Sequence, residues 1–143
     1  MKITVLLVKP NDIARVKRVR NDRIAFEMLL GGESCIYRTE KVGTKTVVYF
    51  GMVEKDEYLP YNRVDFDENN IPSSIIRGSF LICCWDGDEF SSLLPKLIER
   101  YDAKYFYPDE FECVDDKINV YRCNYKLTTF QILSAKTKRK VGA

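Results

Sequence analysis

The stretch Ile75 to Trp85, IIRGSFLICCW, holds the strongest core-strand composition in a chain of 143 residues. An apolar run rich in β-branched and aromatic side chains, bounded by turn residues, reads as a buried strand. Asp86-Gly87-Asp88 ends the run sharply, and Gly78 marks a place where backbone can approach a neighbour closely. Shorter strand signals lie on both sides. Lys2 to Val8 (KITVLLV) stops at the turn Lys9-Pro10-Asn11, and Ile13 to Arg20 sets Ile13, Val16 and Val19 among basic residues. Ser34 to Arg38 and Thr46 to Val53 (TVVYFGMV) flank a polar connection and read as a hairpin. Tyr58 to Arg63 contains Pro60, which donates no ladder hydrogen bond and so favours an edge or a loop. Val64 to Pro72 reads as a polar, acidic loop. Ile118 to Tyr125 and Thr128 to Ser134 read as a last hairpin, turning at Asn124-Tyr125-Lys126.

Two helices complete the pattern. Arg23 to Leu30 begins after the capping pair Asn21-Asp22 and ends at Gly31-Gly32. Phe90 to Tyr101 carries Leu93, Leu94, Leu97, Ile98 and Tyr101 at helical spacing, with Ser91 or Ser92 as cap and Pro95 in the first turn. It runs into an aromatic loop over residues 103–111. The reading is α+β: one domain over residues 1–133, a mixed and mainly antiparallel sheet with two short helices packed on it. Residues 134–143 form a basic tail.

With 45% hydrophobic and 31% charged residues, the composition supports one soluble core rather than a disordered chain. The complete lack of histidine excludes imidazole bases, Ser/His and Cys/His dyads, and zinc sites with a histidine ligand. No GxxxxGK[ST], GxGxxG or GxSxG occurs, so the common phosphate loops and the hydrolase elbow are missing. The expectation is a protein that is not an enzyme and needs no cofactor or metal. Its acidic runs, Asp65 to Glu68 and Asp86 to Glu89, lack the twelve-residue calcium-loop pattern and read as solvated turns. Five cysteines, an odd number without a CxxC pair, argue against a disulfide framework. Cys83 and Cys84 are neighbours that a strand points to opposite faces, so buried thiols in a reducing, cytoplasmic setting are expected. No apolar stretch approaches the roughly 20 residues that span a bilayer, so no membrane partner is expected.

Charge is divided along the chain. Residues 1–23 hold seven basic and two acidic side chains, Lys136, Lys138, Arg139 and Lys140 crowd the end, and the middle is acidic. Nucleic acid is one partner class this division allows, through Lys17, Arg18 and Arg20 together with the four tail cations, provided the fold joins them. The plainer reading is a solvated face and a frayed tail.

A second candidate set is Asn62, Arg63 and Arg77, whose amide and forked guanidinium donors suit phosphate, carboxylate or a base edge. With Tyr61 or Trp85 as a stacking surface they would form a pocket for a small nucleotide. The alternative is structural, with Asn62 supporting a turn and Arg63 pairing with Asp65, Asp67 or Glu68. A third set, Tyr105, Phe106, Tyr107 and Phe111, lies within an acidic rim and suits an interface with a protein partner, or else caps the core. The strand edge at Tyr58 to Arg63 would also support a homo-oligomer by sheet extension.

Leu59-Pro60-Tyr61-Asn62-Arg63, followed by Ile76-Arg77-Gly78-Ser79-Phe80-Leu81-Ile82, resembles a family of unknown function common in bacteriophages and mobile elements. Its members pair a proline-any-asparagine-arginine motif with a downstream glycine-small-aromatic-any-aliphatic strand. Lys2 to Pro10 and Gly31-Gly32 are similar too, carrying the resemblance over roughly residues 1–111. Tyr61, where a small aliphatic is usual, and Cys83-Cys84-Trp85 depart from the pattern. The resemblance implies no activity. It implies a small accessory protein that binds a host component, as an inhibitor of a host defence protein or by sequestering a nucleotide signal.

Overall fold

The computed structural model describes residues 1–53 and 58–132. Within it IIRGSFLICCW is two strands rather than one. Strand β5 (Tyr61–Phe66) forms a two-stranded sheet with β6 (Pro72–Arg77), and the chain then turns through Gly78 into β7 (Phe80–Trp85), the centre of the main sheet. The break has a local cause. Gly78 adopts φ +71°, in the left-handed region that side chains disfavour, and a Cβ there would meet Leu59 at 3.1 Å. The expected acidic loop over residues 64–72 is therefore shorter, because β5 runs on to Phe66.

The main sheet runs β2 (Arg15–Arg20), β1 (Lys2–Val8), β7, β4 (Lys45–Met52), β3 (Ser34–Val42), with the short β8 (Phe90–Ser91) also on β7. Its pairings are all antiparallel, so the sheet is not mixed. Alternation along the strands separates two cores. Leu6, Val8, Tyr49 and Ile82 face α2 (Pro95–Tyr105), which buries Leu97, Tyr101 and Tyr105 against them. Val5, Leu7, Val48 and Leu81 face α1 (Arg23–Leu30), which buries Ala25, Phe26 and Leu30. Cys83 and Cys84 fall in opposite cores, as their adjacency in a strand requires.

Helix α1 begins and ends as its sequence indicates. Asp22 accepts the Ala25 N–H at 2.8 Å, and Gly31, at φ 88°, returns its own N–H to Glu27. Helix α2 differs from expectation at both ends. Pro95 forces the preceding Leu94 into extended backbone, so the helix starts at the proline. Ser91 belongs to β8, and Ser92 Oγ accepts the Thr4 N–H instead of capping a helix. At the other end the helix continues to Tyr105, through residues expected in a loop.

Beyond α2, strands β9 (Glu110–Val114), β10 (Lys117–Arg122) and β11 (Tyr125–Gln131) form a meander that sequence reading found only in its second half. Its turns, Asp115-Asp116 and Cys123-Asn124, hold positive φ at both residues, the mirror-image geometry that matches strand twist. Val64, Ile118 and Val120 form a third core there, joining the meander to the β5–β6 hairpin. The tail cations Lys136, Lys138, Arg139 and Lys140 lie outside the described residues. No helix among the described residues is long and apolar enough to cross a membrane.

Candidate functional site

Asn62 and Arg63, expected to meet a ligand, are both fully buried. Asn62 donates to the carbonyls of Val8 and Gly78, at 3.0 and 2.8 Å. Gly78 in turn donates its N–H to the Pro60 carbonyl, so the two halves of the motif are stitched to each other across the hairpin. Arg63 extends from the same strand toward the end of α2. Its Nε donates to Tyr105 O, Nη1 to Lys9 O and to both oxygens of Asn62, and Nη2 to Asp12 O. The carbonyls at a helix C-terminus lack intrahelical partners and carry partial negative charge, so a buried guanidinium suits that position. Burial lowers the Arg63 pKa to about 10, which leaves it charged at neutral pH.

The other members of that set lie apart. Arg77 stacks over the Tyr61 ring at 4.5 Å, on the small hairpin. Trp85 packs on Phe90 in the core facing α1. The aromatic set is divided as well. Tyr105 is buried in the core facing α2, Phe111 packs on Tyr61 at 5.2 Å, and Phe106 is half-buried, leaving Tyr107 exposed. Asp109, expected on the acidic rim, is buried. Along β2, Lys17 pairs with Val5 and Arg18 with Thr4, so the two cations point to opposite faces of the sheet, and Arg20 is paired with Asp22. The acidic runs fold as turns: Asp67 accepts the N–H groups of Asn69 and Ile71, and Asp86 those of Asp88 and Glu89.

A cleft of about 970 Å³ opens where β3, α2, β10 and the loop after β5 meet. Arg38, Lys41, Arg100, Lys104 and Arg122 line it, with Glu40, Asp67 and Glu68 as its carboxylates. Phe66 gives it an aromatic wall, and Asn69 and Asn70 add amides. Two of the cations are fixed from behind. Arg122 makes a forked pair with buried Asp109, at 2.6 and 3.0 Å, and its guanidinium lies 5.8 Å from the Phe66 ring. Arg38 pairs with Asp65 and covers the Tyr49 ring at 4.2 Å. Burial opposes the Arg38 charge, but Asp65 and the neighbouring phenols outweigh it and hold its pKa above the ordinary value. Arg100 and Lys104 stand one helical turn apart, with no carboxylate partner among the described residues.

Below the cleft lies a chain of hydroxyls. Tyr105 Oη donates to Asp65 at 3.1 Å and shares a hydrogen bond with Tyr49 Oη, while Tyr101 Oη donates to Glu40 at 2.6 Å. Burial pushes all three phenols above their ordinary pKa, with Asp65 and Glu40 adding to it at Tyr105 and Tyr101. A phenol whose pKa is raised by folding favours the unfolded state once pH passes the unfolded value near 10. Stability should therefore hold to about pH 9 and fall above pH 10. In an absorbance titration, these three of the nine tyrosines should stay silent until the protein unfolds; nine phenols titrating together near pH 10 in the folded protein would refute the buried network.

Sequence reading missed this cleft because its cations come from β3, α2 and β10, far apart in the chain. The one local signal is the Arg100/Lys104 pair, two cations four residues apart on one helix face.

The span from β1 through α2 coincides with the comparison to known families. Residues 1–106 match the family described as a domain of unknown function, DUF3846. No curated protein and no solved structure shows a match. The matched span contains the Asn62, Arg63 and Gly78 stitching and most of the cleft wall, whereas β9 to β11, with Arg122, lie beyond it. The chain belongs to the DUF3846 family.

Proposed function

We propose that this chain is a non-enzymatic binding protein whose cleft holds a nucleotide-type anion, and that it serves a phage or mobile element by sequestering such a signal from a host defence system. The observation that carries the ligand reading is the grouping of five cations around Phe66 in one cleft. Guanidinium groups bind phosphate through forked donors, an aromatic face stacks a base, and amides such as those of Asn69 and Asn70 read base edges. The cleft is in the size range of small-molecule sites. The phage and defence context is supported by the sequence resemblance alone. A nucleic-acid reading has less support, because Lys17 and Arg18 point to opposite faces of the sheet and Arg20 is paired with Asp22.

Thermal unfolding against cyclic and linear nucleotides, inorganic phosphate and a short DNA duplex tests the reading. A fitting nucleotide at 100 times its Kd should stabilise the protein by about 2.7 kcal/mol and raise Tm by several degrees. Arg100→Gln with Lys104→Gln should abolish that shift while lowering the free protein's Tm by no more than a few degrees, since Arg100 is exposed and Lys104 half-buried. A flat response to every nucleotide would sink the proposal, and a shift with DNA alone would move it to nucleic acid.

A further inference from the structure

The main sheet ends in two strands of different character. β2 presents Arg15, Lys17, Arg18 and Arg20, so a second copy meets cations of one sign, the usual protection of an exposed edge. β3 is guarded less, by the single lysine Lys41 and a bulge between Ile36 and Arg38. Its outer side pairs with no strand among the described residues, and it exposes Ile36 at 52% and Tyr37 at 45%. It also carries charges of both signs two residues apart. Arg38 and Glu40 lie on the same sheet face, since Arg38 covers Tyr49 and Glu40 accepts the Tyr101 hydroxyl.

We propose that two copies of this chain pair antiparallel along β3, about a two-fold axis at Thr39, so that the two main sheets become one. That register sets Arg38 of each copy opposite Glu40 of the other, a favourable cross-strand pair. Neighbouring registers do not. Centring on Arg38 or on Glu40 puts like charges face to face, and a one-residue shift sets Arg38 against Lys41 or Thr39. Both side chains have capacity left for the contact. Tyr101 uses Oε1 of Glu40 and Asp65 takes Nη1 of Arg38, which leaves Oε2 of Glu40 and Nη2 of Arg38 for the contact. The pairing would also remove Ile36 and Tyr37 from water. It shares Arg38 and Glu40 with the cleft wall, but it is argued from the strand edge and its register and not from any ligand.

Sedimentation equilibrium of the full chain, joined to cysteine cross-linking, tests it. Cys35, Cys113 and Cys123 are exposed and are first changed to Ser. Residues directly opposite in an antiparallel pair are within disulfide reach, so Thr39→Cys in that background should form a linked dimer under mild oxidation. Val16→Cys on β2 should stay reduced, and the unmodified chain should sediment at twice 16.7 kDa in the micromolar range. A monomer at all concentrations up to millimolar would overturn the proposal. So would a dimer in which Thr39→Cys stays reduced, whether or not Val16→Cys links.

Discussion

Arg63→Ala should cost at least about 4 kcal/mol, a large share of the roughly 5–15 kcal/mol by which whole domains are stable. The side chain is fully buried and donates to the carbonyls of Lys9, Asp12, Asn62 and Tyr105. Truncation removes a donor from each, although Lys9 O keeps the Asp12 N–H; each acceptor left bare where water cannot reach costs about 1–3 kcal/mol, and a cavity adds to the loss. It also detaches three segments at once: the loop between β1 and β2, strand β5, and the end of α2. Arg63→Lys keeps the charge but loses the fork, so it should recover only part of the loss. Urea unfolding followed by circular dichroism gives the comparison. If Arg63→Ala unfolds within about 1 kcal/mol of the unmodified chain, the guanidinium is not the clamp its geometry describes.

That clamp shows where the sequence could be read and where it could not. Asn62, Arg63 and Gly78 stood out as a motif, and the hydrogen bonds tie them together. Their residue types also suit phosphate binding, and nothing local says whether a guanidinium will meet a ligand or a helix end. The carbonyl that decides it belongs to Tyr105, forty-two residues away. Short-range signals served well where the physics is short-range. Asp22 and Gly31 bound α1, the Lys2 to Val8 run is β1, and the β3–β4 and β10–β11 hairpins are present. Reading failed where a single residue redirected the chain. Gly78 divided between two sheets a run that reads as one strand, and Pro95 delayed a helix that the leucine spacing placed earlier. Asp109 looked like part of an acidic surface because its partner, Arg122, arrives on a strand thirteen residues later. The cleft was the least legible feature, since its walls are assembled only by the third core, which folds the meander against β5 and β6.

Asp65→Ala should destabilise the protein by about 3–5 kcal/mol and weaken the cleft together with the core. Asp65 is 3% exposed, and its carboxylate accepts from Arg38, from the Tyr105 hydroxyl and from the Phe66 N–H. Without it, Arg38 keeps its charge against the Tyr49 ring with no counterion, and the Tyr105 hydroxyl loses an acceptor in a dry site. Arg38 is 29% exposed, so water recovers part of the loss and places the effect toward the lower end of that range. The comparison that isolates the pair is Arg38→Met with Asp65→Leu. Apolar residues of similar size remove both charges, so the double variant should regain much of what Asp65→Ala loses, with a coupling of at least about 1 kcal/mol. The two substitutions separate stability from binding as well. The double variant should fold and still respond less to any nucleotide that stabilises the unmodified chain, because Arg38 is one of the five cations in the cleft. A loss below about 0.5 kcal/mol in Asp65→Ala would mean that the pair behaves like an exposed ion pair and does not hold the cleft wall.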